Sequence, residues 1–302
     1  MSRNLGLCLA GGGQRAFLQV GFLERWWPEL APRVGAISAC SAGACFGVIW
    51  LTGRQPITHQ YWLGRRDGIT RNFDWGRLRR GGRLTPHIPI YPDTLRYALA
   101  DGGFERIKSL PFPFFILAAA LPPRLPVSLA VTLGMAGYSF ERQLSYGKLH
   151  PKAGRRIGFT PFVLDARECA DPEELVALVL ASSATPPFTP LGRVRGTLLL
   201  DGGMVDNAPA FLAEEAPGVD RTLVLLTRPY PPENIGWQGQ RLYLAPSTHP
   251  PISRWDYTST ERVEQTLALG RSEAERQAAV MEEFLYLPGR AESGELKAEP
   301  AG

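Results

Sequence analysis

Residues 5–10 form a short apolar run that stops at three consecutive glycines, Gly11, Gly12 and Gly13. Apolar residues at helical spacing follow at once: Phe17, Val20, Leu23 and Trp27. A short apolar run bounded by glycine reads as a strand buried on both faces. The pattern then repeats. Residues 34–38 are a second short apolar run, and residues 42–51 are apolar nearly all round, as a buried helix is. Strand–helix–strand–helix within the first fifty residues calls for parallel pairing through crossover helices, and this places the chain in the α/β class.

The later pattern is consistent with that class. Strands are expected over 112–121, 157–164, 198–200 and 222–227, and helical pieces over 94–100 and 105–109. Asp171 as N-cap, Pro172 at the first helical position and Glu174 closing a capping box predict a helix over 171–181. Thr258 and Glu261 form a second capping box, opening a helix expected to run to about Phe284. Residues 54–92 are polar, arginine-rich and broken by Gly and Pro, and are expected to be irregular and surface-lying.

Charge is distributed unevenly. The chain carries 33 basic and 29 acidic side chains, a net of +4, yet Arg65, Arg66, Arg71, Arg77, Arg79, Arg80 and Arg83 face only Asp67 and Asp74 within one stretch. That stretch is +5, so the remaining chain sums to −1. With 44% hydrophobic and 21% charged residues, disordered and fibrous classes are excluded. Four cysteines, Cys8, Cys40, Cys45 and Cys169, make neither a disulfide scaffold nor a C-x-x-C site, and read as reduced core thiols. Four histidines, His59, His87, His150 and His249, lack metal-ligand spacing, so no metal or other cofactor is expected. No signal peptide opens the chain, and a reducing cytoplasmic setting is expected.

Three junctions carry chemistry. Gly11-Gly12-Gly13-Gln14-Arg15 turns from strand to helix, where backbone N–H groups and the helix dipole favour negative charge. The turn suits a phosphate, an oxyanion or simply a tight connection; the Walker and dinucleotide spacings are both missing. Ala39-Cys40-Ser41-Ala42-Gly43 resembles the nucleophile elbow G-x-S-x-G, with Ala39 in place of the first glycine, while Ser41 would equally suit a helix N-cap. Asp201-Gly202-Gly203 follows the strand at 198–200; Asp201 is there either a turn residue or a carboxylate delivered to the sheet's carboxyl edge.

Together with Ala181-Ser182-Ser183-Ala184-Thr185-Pro186 and Asp206-Asn207-x-Pro209, these motifs resemble the patatin-like phospholipase family, over roughly residues 5–285. The resemblance implies a three-layer α/β/α fold with a mostly parallel central sheet and a single hydrolase domain over 1–286. Residues 54–103 match loosely, 122–156 form an apolar insert or lid candidate, and 287–302 are a flexible tail. It also implies a serine acyl hydrolase without a catalytic histidine. Ser41 would be the nucleophile, Asp201 its general base, and the N–H groups of Gly11, Gly12 and Gly13 the oxyanion donors. Arg15 would brace the glycine loop or face a lipid phosphate. The substrate would be a phospholipid or another lipid ester. A transacylase on the same dyad and a catalytically silent binding module are the competing readings. His249 follows Asp201 in the order of a Ser–Asp–His triad, but it and His87 sit in undistinguished loops.

The arginine stretch also holds Trp62, Phe73 and Trp75. Basic and aromatic residues together suit single-stranded nucleic acid or an anionic membrane. The hydrolase motifs favour the membrane, so nucleic acid is not expected as a partner, and the enzyme is expected to dock peripherally at the inner membrane surface. Residues 125–140 are uncharged but only 16 long, shorter than a spanning helix. The whole segment 111–140 forms either a core strand plus a helix or, over 122–138, an apolar lid or membrane-contact insert.

Overall fold

The computed structural model describes residues 2–81, 84–144, 149–150 and 153–286. The elements run β1 (Leu5–Leu9), α1 (Phe17–Leu30), β2 (Val34–Cys40), α2 (Ser41–Leu51), α3 (Gln55–Arg65), α4 (Trp75–Arg79), α5 (His87–Leu99), α6 (Gly103–Lys108), β3 (Phe114–Ala120) and α7 (Val127–Leu144). They continue through α8 (Ala153–Ile157), β4 (Thr160–Asp165), α9 (Pro172–Ser182), β5 (Gly192–Val194), β6 (Thr197–Leu200), α10 (Ala210–Glu214), β7 (Arg221–Leu225), β8 (Gly236–Gln238), β9 (Arg241–Leu244), α11 (Thr260–Arg276) and α12 (Ala278–Tyr286).

Nine strands form one sheet in the order β5-β6-β3-β2-β1-β7-β9-β8, with β4 added against β3. The centre, β3-β2-β1-β7-β9, is parallel. The antiparallel pairings, β3 with β4 and β6, β5 with β6, and β8 with β9, lie at its two ends. Alternation along the strands builds a core on each face. Leu5, Leu7, Leu9, Ile37, Phe114 and Leu223 pack with Trp26 of α1, Val48 of α2 and Leu178 of α9. The opposite face carries smaller residues. Cys8 packs with Ala210, and Ala36 with Ala213, so that α10 lies close to the sheet. Cys40, Leu117 and Leu200 on that side pack with Phe159 and Met204, and Val131 and Met135 of α7 lie against them. The fold class is therefore as expected, a mostly parallel sheet between helical layers.

All four cysteines are free and buried, as core thiols. Asp171 caps α9 as expected, accepting from Glu174 N–H at 2.8 Å, while the Glu174 side chain accepts from Ala170 N–H at 2.6 Å.

Three local expectations are corrected. Residues 54–92 are not irregular: α3, α4 and the start of α5 lie within them. Trp62 and Ile90 are buried against Phe17 and Val20, and this tertiary packing overrides the polar composition. The cap of α11 is Ser259, which accepts from Arg262 N–H at 3.2 Å. Thr258 instead gives both its N–H and its hydroxyl to buried Asp256, at 2.9 and 2.8 Å. The expected C-terminal helix is also two, α11 and α12. Residues 111–140 hold a core strand plus a helix, as one of the two readings had it: β3 is followed by α7, which buries Ala130 while exposing Val127, Leu129 and Leu133 by 41–46%. Among the described residues no helix is long and apolar enough to cross a membrane.

The arginine stretch divides. Arg66 is buried, stacked on Trp62 at 4.1 Å, and donates to the carbonyls of Tyr257, Asp256 and Ser259 at 3.1–3.3 Å. Arg65 pairs with Asp93 at 2.6 Å. Arg71, Arg79 and Arg80 are exposed beside Phe73 and Trp75. Arg83 and the tail at 287–302 lie outside the described residues.

Candidate active site

Ser41 sits where β2 turns into α2, and its φ of +51° is left-handed, a conformation that costs a non-glycine residue about 1–2 kcal/mol. The turn is held from outside. Ser41 N–H donates to Ser182 Oγ at 2.7 Å, and Ser182 Oγ donates to the β3 carbonyl of Leu117 at 2.6 Å. Gly43 is required by close approach, because a Cβ there would lie 2.1 Å from the Leu9 carbonyl oxygen. Ala39, the departure from the elbow pattern, is fully buried, its methyl part of the main core.

Asp201 ends β6. Its N–H donates to the Ala184 carbonyl at 2.8 Å and its Oδ1 accepts from Gly203 N–H at 2.7 Å. The Ser41 side chain faces its carboxylate. Burial raises the Asp201 pKa from 3.8 to about 6, against the lowering effect of the Ser41 hydroxyl and the Gly203 N–H. The structure thus joins β2 and β6, 160 residues apart, at one serine–carboxylate pair.

The glycine loop closes over the same point. A side chain on Gly11 would meet Ser41 Cβ at 3.1 Å. The loop is pinned by its Gly11 carbonyl, which accepts from Thr227 Oγ1 at 2.9 Å and Asn207 Nδ2 at 3.2 Å. Of the three candidate oxyanion donors, Gly11 is committed elsewhere: its N–H donates to the Asn207 carbonyl at 3.0 Å. Gly12 and Gly13 have no acceptor for theirs among the described residues. Arg15 braces the loop, with Nε donating to the Gly12 carbonyl at 3.2 Å. Burial together with nearby Arg254 and Arg228 lowers its pKa to about 10. Gln14 N–H is fixed to the Arg254 carbonyl at 3.1 Å.

Ser41, Asp201, Gly12 and Gly13 line one cavity of about 1030 Å³, its open mouth included. From the serine its wall follows α2 through Ala42, Cys45, Phe46 and Ile49. Ser41 to Ile49 spans eight residues of helix, a rise of about 12 Å. Tyr138 of α7, whose hydroxyl bonds to Arg254, lines the cavity as well.

Neither weighed histidine completes a triad. His249 is exposed and does not line the cavity. His87 does line it, but its Nδ1 is bound to the Tyr257 hydroxyl, and burial lowers its pKa to about 3. The site residues that motif reading left without a role are Ser182, Asn207 and Thr227. The first two lie inside motifs quoted for the resemblance, whereas Thr227 is one threonine at the end of β7 with no signal around it.

A family model described as patatin-like phospholipase matches residues 7–214. No curated protein matches the chain. Solved structures similar to it include VipD from Legionella pneumophila, at 11% identity and TM-score 0.47, matched over 93% of this chain and 67% of that one. Human GIVD cytosolic phospholipase A2 is matched at 12% identity and TM-score 0.46, over 94% of this chain and 62% of that one.

Proposed function

The chain belongs to the patatin-like phospholipase family, and from that premise we propose that it is a lipid acyl hydrolase cleaving carboxylic esters through an acyl-Ser41 intermediate. The observation that carries the reading is the meeting of Ser41, at a left-handed strand–helix elbow, with the buried Asp201 carboxylate in one apolar cavity. Asp201 removes the hydroxyl proton as Ser41 Oγ attacks the ester carbonyl. The carbonyl oxygen becomes an oxyanion that accepts from Gly12 and Gly13 N–H, assisted by the N-terminal dipole of α2. Collapse of this intermediate breaks the ester bond, and the leaving alkoxide takes the proton from Asp201. Water then repeats the sequence on the acyl-enzyme, releasing a fatty acid and restoring Ser41.

A carboxylate serves as base here because burial lifts its pKa to about 6, near the working pH of a proton acceptor. Arg15 holds the oxyanion loop, and its proximity to Arg228 and Arg254 favours an anionic headgroup near the mouth. Exposed Val127, Leu129 and Leu133 of α7, with Phe73, Trp75 and the neighbouring arginines, support peripheral docking on an anionic lipid surface.

The test is a lipid-panel hydrolysis assay with product mass analysis, run beside Ser41→Ala and Asp201→Asn. Both variants are expected to lose activity, and a serine-directed phosphonate is expected to label Ser41. Full hydrolysis by either variant rejects the dyad.

A further inference from the structure

One helix runs the apolar length of the cavity. Ser41 opens α2 at the catalytic end, and Ala42, Cys45, Phe46 and Ile49 carry the wall away from it. These four share one helical face, small beside the serine and large beyond it. Leu51 ends α2, and only Thr52, Gly53 and Arg54 separate it from α3. Gln55, Thr58 and His59, which also line the cavity, belong to the first turns of α3. The short connection therefore holds them beside the C-terminal end of α2, away from Ser41.

That end is walled by rings. Phe17 lies 4.6 Å from Phe46 and 4.9 Å from Trp62 between centroids, and Phe17, Ile49 and Trp62 are buried. His59 meets Phe17 edge-on at 5.6 Å and stacks along Trp62 at 6.2 Å. Its side chain is 10% exposed, and its Nε2 lies 2.9 Å from Oε1 of Glu264, a residue of α11 whose side chain is 51% exposed. The imidazole thus has the cavity on one side and a solvent-facing carboxylate anchoring it on the other.

We propose that His59, held by Glu264, is the stopper of the acyl pocket and sets the length of chain the enzyme accepts. This rests on the hydrolase reading above and names the acyl class of its substrate. From Ser41 to Ile49 the helix rises about 12 Å, and a zigzag of C–C bonds of about 1.5 Å advances about 1.3 Å per bond, so an acyl chain of about ten carbons fills the pocket. The preferred substrates are esters of medium-chain fatty acids. A longer chain meets the imidazole and must fold back or leave its tail in water.

The test measures kcat/KM on the full chain for p-nitrophenyl esters from butanoate to hexadecanoate, all dispersed in the same detergent. Up to about ten carbons each added methylene is expected to raise kcat/KM by as much as about fourfold, the scale of burying one CH₂. Past that length the rise is expected to stop and reverse. His59→Ala is expected to move this break to chains at least two carbons longer, a shift in position that a general loss of activity does not produce. Glu264→Ala, at an exposed site outside the cavity wall, is expected to move it the same way by releasing the imidazole, and keeps the test decisive if His59→Ala fails to fold. A wild-type series that climbs or stays level through hexadecanoate overturns the proposal, as does a break that neither variant moves. Hydrolysis that survives Ser41→Ala rejects the hydrolase assignment, whereas Ser41-dependent hydrolysis without a break rejects only the stopper.

Discussion

Replacing Asp201 with Asn should make the protein inactive and more stable, with the gain confined to neutral and alkaline pH. Asp201 is 6% exposed, and burial raises its carboxyl from 3.8 to about 6. Between those values the folded chain holds a proton that the unfolded chain releases, so stability falls as pH rises through that window. Above pH 6 the cost is fully present. A displacement of about two pH units, at about 1.4 kcal/mol each, makes it about 3 kcal/mol. Below about pH 4 it vanishes, because both states are protonated. Asn keeps a carbonyl oxygen for the Gly203 N–H but carries no charge. Thermal unfolding at pH 8 should therefore show Asp201→Asn melting several degrees above wild type, at roughly 2 °C per kcal/mol for a chain of this size. At pH 4.5 the difference should shrink to about a third. Wild-type kcat/KM should meanwhile fall about tenfold per pH unit below 6, as the base is protonated. A variant less stable than wild type at pH 8, or a stability gap independent of pH, refutes the argument that burial sets the base.

Ser41→Gly should abolish ester hydrolysis and raise stability by about 1 kcal/mol, read by denaturant titration, because glycine adopts a φ of +51° without strain. Ser182→Ala should cost about 2–4 kcal/mol in the same titration and lower kcat, since it strands both the Ser41 N–H and the Leu117 carbonyl. Leu129→Glu with Leu133→Glu should weaken binding to anionic vesicles in a sedimentation assay while sparing turnover of a soluble ester. Arg79→Gln with Arg80→Gln should flatten the salt dependence of that binding, whereas Arg66→Met should lower stability without that effect, because Arg66 is buried on three carbonyls.

The parallel sheet was legible because its strands are buried on both faces and glycines punctuate them, so apolar runs and glycine alone located β1, β2 and the two turns between them and their helices. The meeting of Ser41 with Asp201 was legible for the same reason: each sits at a strand end, where small residues let the backbone pass close. What the pattern hid was tertiary. Residues 54–92 read as loop because their arginines and prolines mask a buried stripe of Thr58, Trp62, Ile90 and Tyr91 that gains its burial only from distant elements, α1, α2 and α11 among them. Thr258 matched a capping rule, but Asp256, two residues earlier, captured its donors first. The commitment of the Gly11 N–H was equally invisible, since its acceptor lies 196 positions away at Asn207.

That acceptor also shows where a histidine enters the site, as support for the glycine loop. His150 Nδ1 lies 2.8–2.9 Å from both oxygens of Asp206, and its Nε2 lies 3.0 Å from the Tyr243 hydroxyl. Asp206 Oδ1 accepts the Ala208 N–H at 2.9 Å. Asn207, held between those two residues, takes the Gly11 N–H on its carbonyl and returns its side-chain amide to the Gly11 carbonyl at 3.2 Å. The histidine thus braces the glycine loop through Asp206 and Asn207. His59 pairs with Glu264 and His87 with Tyr257, so both cavity-lining imidazoles have partners other than Ser41. A base supplied by a lone carboxylate works only if that carboxylate is kept dry. The destabilisation measured through Asp201 and the proton affinity used in catalysis are then one quantity, read once by melting and once by the pH profile.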